Sequence, residues 1–140
     1  MARIRWGLAL TLSLSGLVYA ALTILAWING LEHWVALITL AGVGKLVVLL
    51  ERQAPVRSAF AAGFFTAVFA LWGQMAFVDI YFQNNPEYLS AEVPFGLSPV
   101  SFTLLFSPLG GVMGGLLAAI TAWLVSTVVQ LLWRSEERSQ

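Results

Sequence analysis

VPFGLSPVSFTLLFSPLGGVMGGLLAAITAWLVSTVVQLLW, Val93 to Trp133, contains no charged residue. As one straight helix it would measure roughly 60 Å, about twice the ~30 Å hydrocarbon core of a bilayer. Part of it must therefore do something other than cross. Ser98-Pro99 and Ser107-Pro108 each pair a capping serine with a proline at the first helical position, where the missing N–H costs nothing. This repeated start signal predicts a short interfacial or re-entrant helix over Pro99–Phe106 and a last span over 108–133. The alternative is one long helix from Pro99, kinked at Pro108 and protruding on one side.

Three apolar runs precede this stretch. Gly7–Ile28 is uncharged and longer than the about 20 residues a span needs. A secretory signal peptide competes for it, because Arg3 and Arg5 form a cationic start and Val18-Tyr19-Ala20 could be a cleavage site. The apolar run continues past Ala20, so we expect a retained helix. Trp34–Leu50 and Ser58–Ile80 follow, separated from their neighbours by Asn29–His33 and Glu51–Arg57. The expected fold is an all-α integral membrane protein: a four-helix transmembrane bundle in one domain, with spans 7–28, 34–50, 58–80 and 108–133 and an outer loop over 81–107.

Composition agrees. With 59% hydrophobic and 10% charged residues and a mean hydropathy of +0.85, the chain cannot cover a soluble globule with polar surface. Seven basic residues balance seven acidic ones, without the cationic footprint of a nucleic-acid binder or an anionic-lipid sensor. Absence of cysteine excludes disulfides, thiolate nucleophiles and iron–sulfur ligation.

The cations set the orientation. Arg3 and Arg5 precede the first span, Arg52 and Arg57 lie between the second and third, and Arg134 and Arg138 follow the last. All fall on one side, whereas the other carries Glu32, Glu87 and Glu92 and no Lys or Arg. The positive-inside rule then places both termini in the cytoplasm. Trp6 and Trp133 at the inner boundary and Trp27 and Trp34 at the outer one fit an aromatic belt.

In lipid, helices associate through small residues that let backbones approach. The last span has two interleaved ridges, Gly111, Gly115 and Ala119 beside Gly110, Gly114, Ala118 and Ala122. They serve either packing within the bundle or an interface with a second protein or a second copy. The first span offers Ser13, Gly16, Ala20 and Thr23, and the third offers Ala59, Gly63 and Ala67 beside Ala62, Thr66, Ala70 and Gly73.

Candidates for chemistry are few. Lys45 is the one cation within a span; lying some 8 Å from the inner boundary by helical rise, it is expected to snorkel to the headgroups. Gln74 sits roughly 24 Å from that boundary, so the two do not share a depth, and Gln74 is expected to make an interhelical hydrogen bond. Asp79, near the outer surface, completes the possible polar intramembrane set. His33 is the lone histidine and cannot hold a structural metal alone. The outer segment from Tyr81 to Ser90 groups Tyr81, Asn84, Asn85 and Tyr88, residues suited to docking on a partner or on the membrane surface, with Asn84-Asn85-Pro86 read as a turn. No phosphate cradle, Ser/His/Asp set or paired carboxylates occur, so no catalytic, cofactor-binding or metal residue is expected.

The turn leading into Val56-Arg57-Ser58-Ala59-Phe60-Ala61-Ala62-Gly63, the exit Val78–Asn85 with Pro86-Glu87-Tyr88, and Phe106-Ser107-Pro108 opening a glycine-rich last helix carry a likeness. Through them the chain resembles a group of uncharacterised four-helix bacterial inner-membrane proteins catalogued as a domain of unknown function. The resemblance implies that architecture and location and brings no catalytic residues. The leading expectation is a small non-catalytic subunit that packs with a larger membrane complex or with itself, in an accessory, assembly or stabilising role. The competing class is an oligomeric transporter or channel for a small solute or ion, lined by Gln74, Asp79, Thr66 or Lys45.

Overall fold

A computed structural model describes residues 3–88 and 93–138, with side chains through Leu132. Leu89, Ser90 and Glu92 of the outer segment lie outside the described residues, as do the side chains of Trp133, Arg134 and Arg138. The described chain is helical: α1 (Trp6–Ser13), α2 (Ser15–Ile24), α3 (Glu32–Leu50), α4 (Pro55–Ala76), α5 (Val78–Asn84) and α6 (Pro99–Arg138), with single 3-10 turns at Pro86–Tyr88 and Pro94–Gly96. Four helices are long and apolar enough to cross a membrane: α1 continued by α2, then α3, α4 and α6.

Four helices overlie the expected spans, with shifted ends. The first is broken at Leu14, whose N–H reaches Thr11 O while the Ser13 and Ser15 hydroxyls donate to Leu10 O and Leu12 O at 2.7 Å. Such back-bonding hydroxyls compete with the helical ladder and bend it. The span also stops at Ile24, short of Ile28, because Ala26 takes a left-handed φ of 54° and the chain turns through Gly30 at φ 78°. The second begins at Glu32. The third starts at Pro55, in the first-turn position that proline favours, and ends at Ala76. After Phe77 the chain restarts as α5, whose end folds over α2.

The largest correction concerns the last stretch. Pro99–Phe106 is neither re-entrant nor a separate interfacial helix: α6 runs unbroken through Pro108 from Pro99 to Arg138. Consequently the outer loop ends at Ser98 instead of residue 107. Ser98 is the cap that the sequence suggested, accepting the Ser101 N–H on its Oγ at 3.1 Å. Ser107 is not. Pro108 cannot donate to Leu104 O, and the Ser107 hydroxyl takes that carbonyl instead at 2.9 Å. Ser107 Oγ is itself held by the Trp72 indole N–H at 2.9 Å. With the orphaned acceptor satisfied, the helix continues through its proline.

Helix α4 is the hub, touching α1, α2, α3 and α6. Its interior face is Ser58, Ala59, Ala62, Gly63, Thr66, Ala70 and Gln74. Small residues fill the core throughout: the largest fully buried side chains include only Val47, Asn85, Ser13, Ser58 and Ser107. Leucines and tryptophans face outward, as at Leu17, Ile38, Leu49, Trp72 and Leu105. This is a bundle held by backbone approach with bulky apolar groups on its outer face, as helices packing in lipid would have.

Helices α4 and α6 run antiparallel, Trp72 meeting Ser107 and Phe60 lying against Gly115. α3 runs alongside α6 with Gly44 on Ala118 and Thr121 and ends at Leu50. By about Val125 the other helices have therefore ended, while α6 continues to Arg138, roughly 20 Å further at helical rise.

Candidate functional site

Polar side chains converge at the end of the bundle opposite the arginines. Since α2 stops early, its last carbonyls need donors. Asn84 Nδ2 donates to Ile24 O at 2.7 Å, and Asn85 Nδ2 donates to Thr23 O at 3.1 Å and to Tyr81 O at 2.8 Å. Asn85 is 1% exposed, so α5 acts as a lid pinned to the end of α2. Gln74 Nε2 donates to Thr23 Oγ1 at 2.8 Å, and that hydroxyl donates to Ala20 O at 2.8 Å. The Tyr19 hydroxyl donates to Glu32 O at 3.2 Å, tying α2 to the first residue of α3. One carboxylate oxygen of Glu32 accepts the Gly30 N–H at 2.9 Å.

These groups surround a cavity of about 220 Å³, lined by Tyr19, Thr23, Glu32, Gln74, Tyr81 and Tyr88, with His33 and Asn85 also at its wall. The rings of Tyr81 and Tyr88 stack with centroids 5.8 Å apart. Sharing Tyr19, Ala36 and Leu71 with it, a second and almost wholly apolar cavity of about 200 Å³ runs between α3 and α4 down to Thr66. Burial raises the Tyr81 phenol above its ordinary value, with Tyr88, Tyr19, Glu32 and Glu87 adding to the effect. Burial, then Glu32 and Glu87, raise that of Tyr88. Both are neutral hydroxyls at neutral pH.

The candidate residues are distributed as follows. Gln74 and Tyr81, Asn85 and Tyr88 meet at this cavity. Asn84 and Asn85, read as a turn and a docking surface, turn their amides onto α2. Asp79 is exposed in the first turn of α5, and Lys45 is exposed on α3, so neither is gathered with Gln74. Gly111, Gly114 and Gly115 lie against α4, where an added methyl would meet Phe64, Ala67 and Phe60 respectively, and Gly110 lies beside Leu71. Ala118 is fully buried against α3 and α4, and Ala119 is half-buried.

Two groupings were missed. Tyr19 and Glu32 belong to the cavity, but nothing local distinguishes them. At the arginine end, Glu51 is buried, its Oε1 accepting the Gln53 N–H at 2.7 Å and its Oε2 lying 3.6 Å from Arg5 Nε. Arg5 Nη1 also donates to Leu50 O at 2.9 Å, capping the end of α3.

No family model, curated protein or solved structure matches this chain. Chemically, the cavity offers phenols, one carboxylate and amides. Among the described residues no three of His, Cys, Asp and Glu are placed to hold a metal.

Proposed function

We propose that this chain is a small non-catalytic subunit of the bacterial inner membrane, with both termini cytoplasmic, that packs with a larger membrane protein or with a second copy of itself. One observation carries the reading: α6 outruns its own bundle while still apolar. Leu124, Val128, Val129 and Leu131 are exposed on a stretch that begins where α3 and α4 end and where Arg52 and Arg57 mark the headgroup level. A bare apolar helix beyond that level is stable only if something covers it. The glycine ridges of α6 are occupied by α4, so the interface is the projecting segment rather than those ridges.

Copurification from native membranes after crosslinking at residue 128 tests this. A stoichiometric partner or a dimer is expected, and Val128→Arg with Leu131→Arg should release it while leaving the bundle folded. Recovery of the unaltered chain as a lone monomer would overturn the reading. Orientation is tested separately: single cysteines replacing Arg57 and Glu87 in this cysteine-free chain should react from opposite compartments.

A further inference from the structure

The tyrosine-end cavity is unrelated to the projecting helix, and its chemistry selects a ligand. All three tyrosines of the chain line it, although they are distant in sequence and come from α2, α5 and the following 3-10 turn. Around it the amide hydrogen bonds are internal: both Asn85 bonds, that of Asn84 and that of Gln74 go to backbone or to Thr23. Acceptors remain beside the Tyr81 and Tyr88 hydroxyls. One N–H of Gln74 is committed to Thr23 while its side-chain carbonyl stays an acceptor, and among the described residues no group donates to the second oxygen of Glu32.

No lysine or arginine of the chain can neutralise that carboxylate, and the one other ionisable nitrogen at the cavity wall, the His33 imidazole, belongs to an exposed residue. Arg3, Arg5, Arg52, Arg57, Arg134 and Arg138 belong to the opposite end, and Lys45 is exposed on the arginine-end half of α3. A carboxylate with no lysine or arginine beside it, in a cavity walled by three aromatic rings, attracts an organic cation. The adjoining apolar cavity floored by Thr66, Ala67 and Ala70 would take a hydrocarbon body attached to that cation. An anion would meet the Glu32 carboxylate and no lysine or arginine, and a metal ion would find one carboxylate where it requires several oxygen ligands.

We propose that this cavity binds an amphipathic ammonium ion, with its charged nitrogen at Glu32 between Tyr19, Tyr81 and Tyr88 and its apolar body between α3 and α4. Two sources carry this chemistry, an aminolipid headgroup and a free amphipathic amine.

The test is calorimetric titration of the full chain in maltoside micelles, which contain no ammonium group. Phenethylammonium should bind saturably, and its neutral isostere 2-phenylethanol about tenfold more weakly or worse, as expected for loss of a charge-assisted hydrogen bond. Glu32→Gln keeps an acceptor for Gly30 but removes the charge, and should cost a similar factor. Tyr88→Ala should weaken binding, whereas Lys45→Gln should leave it unchanged. Equal affinity for 2-phenylethanol, or unchanged binding by Glu32→Gln with an unaltered helical spectrum, overturns the proposal. Doping the micelles with phosphatidylethanolamine rather than phosphatidylglycerol separates the sources. Competition by phosphatidylethanolamine alone assigns the site to a lipid headgroup, and no competition alongside saturable, Glu32-dependent binding assigns it to a free amine.

Discussion

Helix α4 is packed on two sides by different means. Towards α6 its backbone is in contact with the neighbour's: a methyl group on Gly63 would strike Gly114 O, and one on Gly115 would strike Phe60 O. Towards α3 the half nearer the tyrosines stays apart, and Tyr19 stands in the gap with its hydroxyl on Glu32 O. Both sides are lined by small residues of α4, so the difference lies in what faces them. Glycine against glycine closes a seam, whereas alanine and threonine facing Tyr19 and Leu40 leave a cleft. In lipid no solvent pressure collapses such a cleft, because an acyl chain or a ligand fills it as well as a side chain would.

The largest test of this contrast is a pair of substitutions that each install valine, one in the seam and one in the cleft. Gly63→Val should destabilise the bundle by about 3 kcal/mol, since neither the Gly114 backbone nor the Ala118 methyl can move aside. Ala36→Val, at the wall of the cleft, should change stability by about 0.5 kcal/mol or less. Unfolding in mixed micelles of increasing dodecyl sulfate reads both. Equal losses would mean that the cleft is as tightly closed as the seam.

Next comes the lid of the cleft. Asn85→Ala removes the side-chain donors to Thr23 O at the end of α2 and to Tyr81 O within α5, and a loss of about 2 kcal/mol is expected. Amide exchange of α5 should rise while that of the α4–α6 seam stays protected. A uniform rise would show that lid and seam unfold together. Gln74→Leu should cost only about 0.6 kcal/mol, the average for an interhelical hydrogen bond in a membrane bundle. Thr23 keeps its bond to Ala20 O in that variant, which is why the loss is small.

The seam was legible in the sequence and the cleft was not, for a physical reason. Gly111, Gly114 and Gly115 advertise backbone approach by periodicity along one helix, and the four apolar runs advertise their lengths. Continuity of α6 through Pro108 depends on a hydroxyl one residue away and on an indole from α4. Ser107-Pro108 is therefore locally indistinguishable from the true start at Ser98-Pro99. Asn84 and Asn85 carry turn statistics, but the early end of α2 supplied carbonyls that recruit them. Tyr19, Glu32, Tyr81 and Tyr88 meet only because α5 folds back, and no spacing along the chain records that.

The smallest expected effect sharpens the chemistry of the cleft. Tyr81 and Tyr88 are raised above the ordinary phenol value of about 10, first by burial and then by charge, with Glu32 acting on both. The folded chain therefore keeps phenolic protons that the unfolded chain has released once pH passes that value. Their contribution to stability is complete below about pH 10 and is lost as pH rises through the raised values. Absorbance titration of tyrosinate in Tyr19→Phe should give later ionisation in the folded chain than in the same chain unfolded by dodecyl sulfate. Adding Glu32→Gln should move the folded curve partly back, since burial remains the larger cause. If that substitution leaves the curve in place, the carboxylate does not act on the two rings and the electrostatic account of the cleft fails, while the packing of the seam stands unaffected.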